Sequence, residues 1–77
     1  MNDFAETIRI VERRFNAFPA KFNWRGNLYR VEAVNECKTV ADKHGALTSF
    51  HYWVRCDGQL YHLEEALPSG RWSVHCE

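Results

Sequence analysis

The chain has 77 residues, enough for one small domain, residues 1–77, whose core is only marginally sufficient alone. Hydrophobic residues make up 45% and charged residues 26%, which excludes a disordered chain. Ten basic and ten acidic side chains cancel, which excludes a global field drawing the protein to nucleic acid or an anionic membrane.

The compensation for small size is aromatic: three Trp, three Tyr and five Phe. The first residues lack the basic and apolar regions of a secretion signal, and no apolar run reaches spanning length. No membrane association and a cytoplasmic location are expected. Cys37, Cys56 and Cys76 are odd in number without framework spacing, so reduced core thiols are expected. Charge is uneven, however. Arg9, Arg13, Arg14, Lys21, Arg25 and Arg30 face only Glu12 between positions 9 and 30, and acids exceed bases beyond Lys38.

The N-terminal segment reads two ways. Phe4, Ile8, Val11 and Phe15 follow helical spacing, and Asp3 with Glu6 resembles a capping box. Thr7-Ile8-Arg9-Ile10-Val11 is instead rich in β-branched residues and suits a strand.

Arg25-Gly26-Asn27-Leu28 suits a tight hairpin with Gly26-Asn27 as its loop. That register sets Trp24 opposite Tyr29 and Phe22 opposite Val31. Outside, it pairs Asn23 with Arg30 and Lys21 with Glu32 as an ion pair. From Ala33 to Leu47 the alternation weakens. A bent strand or bulge is expected near Val34–Cys37, with a turn at Lys43-His44-Gly45.

Asp57-Gly58 is a strong type I′ signal. It places Val54 opposite Tyr61, Tyr52 opposite Leu63 and Phe50 near Glu65. The other face then pairs Arg55 with Leu60, Trp53 with His62 and His51 with Glu64. A four-residue loop at Leu67-Pro68-Ser69-Gly70 pairs Leu63 with Val74, Tyr61 with Cys76 and Glu65 with Trp72. Outside it pairs His62 with His75 and Glu64 with Ser73. Phe22, Trp24, Tyr29, Val31, Val54, Tyr61, Leu63 and Val74 are thus expected inside. The fold class is all-β: an antiparallel meander of about six strands, curled or barrel-like, since one continuous apolar face must close or be covered.

Phe22-Asn23-Trp24-Arg25-Gly26-Asn27-Leu28-Tyr29-Arg30-Val31, preceded by Pro19, resembles an uncharacterised family of small bacterial β domains. The shared pattern is Pro-x-x-Phe-x-Trp-Arg-Gly-x-x-Tyr-x-Val. Trp53-Val54-Arg55, the Asp-Gly turn, the Leu60-Tyr61 strand and a Trp-containing last strand extend the resemblance over residues 7 to 76. It implies an N-terminal strand and carries no established activity. Relatives encoded beside translesion polymerase genes imply work near DNA repair. Asn23 and Asn27 stand where relatives are richer in arginine.

The chemical candidates are few. His51, His62 and His75 share one face near Glu64, but no Cys-x-x-Cys or His-x-x-x-His spacing accompanies them. They read as solvated surface histidines beside Trp53, and no metal or other cofactor is assigned. Cys56 and Cys76 lie two strands apart, about 9.6 Å, too far for a disulfide. His75 and Cys76 point to opposite faces, so they make no nucleophile–base pair, and no glycine-rich phosphate loop exists.

A non-catalytic binding module is expected. Arg25, Arg30, His51, Trp53, Arg55, His62 and His75 would supply its surface, because Trp flanked by Arg and His stacks on bases and contacts phosphate. Nucleic acid or a DNA-repair protein is the favoured partner. Protein interaction or homo-oligomerisation through sheet edges and the Trp53 face is the alternative. A third reading has the N-terminal strand cover Trp53.

Overall fold

The structure is a computed structural model that describes residues 4–15 and 17–76. Seven strands account for almost all of it: β1 (Phe4–Arg14), β2 (Phe18–Trp24), β3 (Asn27–Arg30), β4 (Ala33–Ala41), β5 (Leu47–Cys56), β6 (Gln59–Ala66) and β7 (Trp72–Cys76). The described residues contain no helix, and hence none long and apolar enough to cross a membrane. All pairings are antiparallel, in the order β3-β2-β1-β7-β6-β5-β4, and the sheet curls into a half-barrel.

The N-terminal segment is a strand. Its β-branched run prevails over the helical spacing because β1 gains two neighbours, β7 on one side and β2 on the other. The expected bent strand after the first hairpin is in fact two strands, which raises the count to seven. At Val31-Glu32 the chain changes partners. Val31 N donates to Ala20 O on β2 at 2.9 Å, and Glu32 N donates to Arg55 O on β5 at 2.8 Å. This corner links one side of the curled sheet to the other. The bulge falls between Val34 and Glu36, as the weakened alternation suggested, and a second lies at Val40/Ala41. Asp42 closes the following turn, its carboxylate accepting from the amides of His44 and Ala46.

Two hairpin registers match the sequence reading, β5–β6 in every expected pair and β6–β7 in the four from His62–His75 to Glu65–Trp72. β5–β6 pairs Val54 with Tyr61 and Tyr52 with Leu63, and β6–β7 pairs Leu63 with Val74. The first hairpin differs. Its loop is Arg25-Gly26, with φ of 54° and 77°, so Phe22 faces Tyr29, Trp24 faces Asn27 and Lys21 faces Arg30. Partners shift by two, and every side chain therefore keeps its face.

The cause of that shift is visible. Arg25 occupies a left-handed conformation that costs a non-glycine residue about 1–2 kcal/mol. In return its guanidinium pairs with Glu6 and lies over the Trp24 ring at 4.8 Å. Glu6 also accepts the Trp24 indole N–H at 2.9 Å. The expected Lys21–Glu32 ion pair is replaced accordingly. Lys21 pairs with Glu12 at 3.2 Å, and Glu32 accepts the Asp57 amide.

The core comprises Ile8, Ala20, Phe22, Val31, Tyr52, Val54, Cys56, Leu63, Trp72 and Val74. Phe22, Val54 and Leu63 are wholly buried. Trp24, Tyr29 and Tyr61 are half-buried around Phe22, with Phe22 and Tyr29 stacked at 5.0 Å. Cys56 is a core thiol, but Cys37 is exposed, because β4 is an edge strand whose inner side the half-barrel leaves open. The expected inner position of the Cys76 side chain lies outside the described residues.

The Asp57-Gly58 turn makes the register testable. Gly58 has φ of 77°, and a Cβ there would meet nothing within 4 Å. The whole cost of Gly58→Val is therefore backbone strain, expected to lower stability by about 1–3 kcal/mol in urea denaturation. Gly58→Asn, which tolerates positive φ, should lose less. Equal effects of the two would contradict the type I′ turn.

Candidate functional site

The chemistry-bearing side chains sit on the outer face, and the register dictates how they line up. Reading across the strands, Ala5, His75, His62, Trp53 and Glu36 form one row. Thr7, Ser73, Glu64, His51 and Lys38 form the next. Because alternate residues point the same way, both rows face outward while Val54, Leu63 and Val74 fill the interior.

The first row is a stack of rings. Trp53 and His62 lie 4.3 Å apart at 12°, and His62 and His75 lie 4.1 Å apart at 13°. His62 is thus sandwiched between an indole and an imidazole. Lys38 Nζ stands 5.9 Å from the centroid of the Trp53 ring. β1 runs beside β7 in the same sheet and does not lie over Trp53.

The second row ties the stack together. His51 Nδ1 and His62 Nε2 are 2.7 Å apart, a hydrogen bond in which one ring donates and the other accepts. Ser49, itself buried, bonds His51 Nε2 at 3.0 Å. His75 Nε2 donates to Glu64 Oε1 at 2.7 Å, and Glu64 Oε2 lies 4.0 Å from His51 Nε2. One nitrogen from each of His51, His62 and His75 falls within 4.8 Å of the others. The three rings are half-buried, His51 bonded to His62 and His75 stacked on it, where the sequence suggested solvated histidines.

The environment of His62 favours its neutral form. Burial first, then the neighbouring His75 and His51, lower its pKa from 6.5 to about 4, against an opposing pull from Glu64. Nucleophilic chemistry is not supported at the core thiol. Burial and the Glu32 carboxylate push Cys56 up to about 11, so it is not a thiolate at neutral pH.

His51, Trp53, His62 and His75 therefore come together as the register suggested. Arg55 is exposed two positions further along β5, opposite Leu60 and Ala33. Arg25 and Arg30 belong elsewhere, Arg25 held on Glu6 and Trp24 at the β2–β3 turn and Arg30 exposed on β3. Sequence reasoning missed Ser49 and Lys38. Their signal was parity: Ser49 stands one whole alternation before His51, and Lys38 pairs with His51 across the ladder.

Other cations on β1–β3 have different fates. Arg13 reaches Glu65 at 3.8 Å and lies over Trp72. Arg9, Arg14 and Arg30 are exposed, and their side chains have no partner among the described residues. Beside Arg30, Asn27, Tyr29, Gln59 and Tyr61 line an open cleft of about 540 Å³. Comparison with family models, curated proteins and solved structures finds no match to this chain.

The low His62 pKa gives stability a pH dependence of definite sign. The folded state resists protonation that the unfolded chain accepts near pH 6.5, so stability is fullest above 6.5 and falls as pH drops toward about 4. Thermal denaturation from pH 7.5 to 4 should show this loss, and His62→Gln should flatten it within that window. An unchanged slope in the variant would assign the dependence to other groups.

Proposed function

We propose that the protein is a non-catalytic binding module for nucleic acid, or for a partner that processes it, engaged through the outer face of β1–β3. The observation that carries this reading is the set of exposed arginines on these strands, Arg9 and Arg30 on the outer side and Arg14 at the end of β1, whose side chains lack partners among the described residues. Lys21 adds a fourth cation, and its pair with half-exposed Glu12 is the screened kind that exchanges readily for phosphate. The basic stretch between positions 9 and 30 is gathered on three neighbouring strands, so a neutral protein has a locally cationic face. Round the β3 edge from Arg30, the open cleft on the inner side of the sheet presents the half-buried rings of Tyr29 and Tyr61 to a base. Trp53 is not assigned that role, because His62 covers one side of its ring and Lys38 stands over it.

A second reading rests on β4. It hydrogen-bonds to β5 alone and is exposed along its length except at Val34. An uncovered edge of nine residues is a template for strand addition by a second copy or a partner.

Salt separates the two readings. If Arg9, Lys21 and Arg30 each meet a phosphate of duplex DNA, affinity should fall on the order of 40-fold between about 50 and 200 mM salt. Anisotropy of labelled single-stranded and duplex oligonucleotides measures this. Arg9→Ala with Arg30→Ala should lower the salt slope by about 2. No binding at low salt would end the nucleic-acid reading, and a salt-insensitive dimer in sedimentation would favour the β4 edge.

A further inference from the structure

We infer that His51, His62 and His75 form a binding site for a late first-row divalent cation, Zn²⁺ foremost, on the outer face of β5–β7. The site lies apart from the β1–β3 face and does not depend on it.

Three observations converge. The first is approach: three imidazoles from three adjacent strands each offer a nitrogen within 4.8 Å of the others. In a tetrahedral site with Zn–N of about 2.0–2.1 Å, ligand nitrogens stand roughly 3.3 Å apart. The widest separation therefore closes by about 1.5 Å, a movement that ring rotations supply without displacing the backbone. Imidazole donors select Zn²⁺, Cu²⁺ or Ni²⁺ over Mg²⁺ and Ca²⁺, which take oxygen.

The second is aim. Ser49 is buried and holds His51 Nε2 at 3.0 Å, which leaves His51 Nδ1 directed at His62 Nε2, 2.7 Å away. A hydrogen bond between two imidazole nitrogens places a proton where two lone pairs converge. A cation entering there takes both lone pairs, and the ring that had donated changes tautomer, its proton passing by way of solvent to its other nitrogen. The third is support from behind. Glu64 accepts from His75 Nε2 at 2.7 Å, the carboxylate–histidine arrangement that orients ligand rings. Trp53, stacked on His62 at 4.3 Å, holds that ring from the side. Three protein ligands leave a fourth position to water.

The protein, freed of metal by chelator and dialysis, should take up one Zn²⁺ per chain in calorimetric titration. Its Tm should rise, and Mg²⁺ should have no effect. His62→Gln and His75→Gln should each weaken binding at least about tenfold, and Ser49→Ala, which touches only the partner of His51, by about 10-fold. His44, on the exposed β4–β5 turn, supplies the control: His44→Gln should bind as the parent does. Circular dichroism verifies folding of each variant. Should a variant not fold, ¹⁵N spectra of the parent's histidine rings carry the test, since Zn²⁺ should shift three rings and spare His44. Absence of Zn²⁺ uptake, uptake abolished by His44→Gln, or ring signals unmoved by Zn²⁺ would each overturn the site and leave a purely structural histidine ladder.

Discussion

The ladder between β1 and β7 is the constraint on which the rest of this structure depends. β1–β3 and β4–β7 are each a short meander with one apolar face and no second layer to cover it. Such units are marginal in water alone. Five pairs, from Phe4 opposite Cys76 to Ile8 opposite Trp72, join them into one sheet. Only then does the sheet have enough width to curl and bury Phe22, Val54 and Leu63 completely. The corner at Val31-Glu32 ties the far side, with one amide committed to β2 and the next to β5.

Closure also decides what the outer face contains. With apolar residues drawn inward, every second residue must carry the polar chemistry, and neighbouring strands bring these residues side by side. On β5–β7 this yields imidazoles stacked and bonded to one another, with the middle ring held neutral by its surroundings. On β1–β3 it yields cations. Some are consumed by the fold itself: Arg25 locks a left-handed turn onto Glu6, and Arg13 covers the Trp72 end. The remainder face solvent.

Much of this arrangement was legible because turns set registers. Asp57-Gly58 and the four-residue loop at Leu67–Gly70 each have one arrangement that keeps apolar partners together, and both register readings match the structure. At Arg25-Gly26 the attraction of Asn27 for positive φ misplaced the loop by one residue. The reason Arg25 prevails is a contact with Glu6 from a strand nineteen positions away, which no local pattern contains. The facing of residues survived because partners moved by two. The alignment of His62 with His75 followed from register alone. The bond between His51 and His62 did not, since it depends on how buried Ser49 turns one ring. Cys37 was misjudged for another reason: a reduced thiol is expected in the core by default, but an edge strand of an unclosed barrel leaves its inner side open.

The β1–β7 ladder has a kinetic counterpart. The β5–β6 hairpin closes across two residues, whereas Phe4 meets Cys76 only after about seventy intervening residues are brought round. The entropy of that larger loop exceeds the smaller by roughly 3 kcal/mol, so the ladder is the late event of folding and the hairpin the early one. Contacts absent from the transition state act on the rate of unfolding and leave the rate of folding nearly untouched. Residues 4–8 and 72–76 therefore govern how long the barrel lasts once made, while the Asp-Gly hairpin governs how fast it is made.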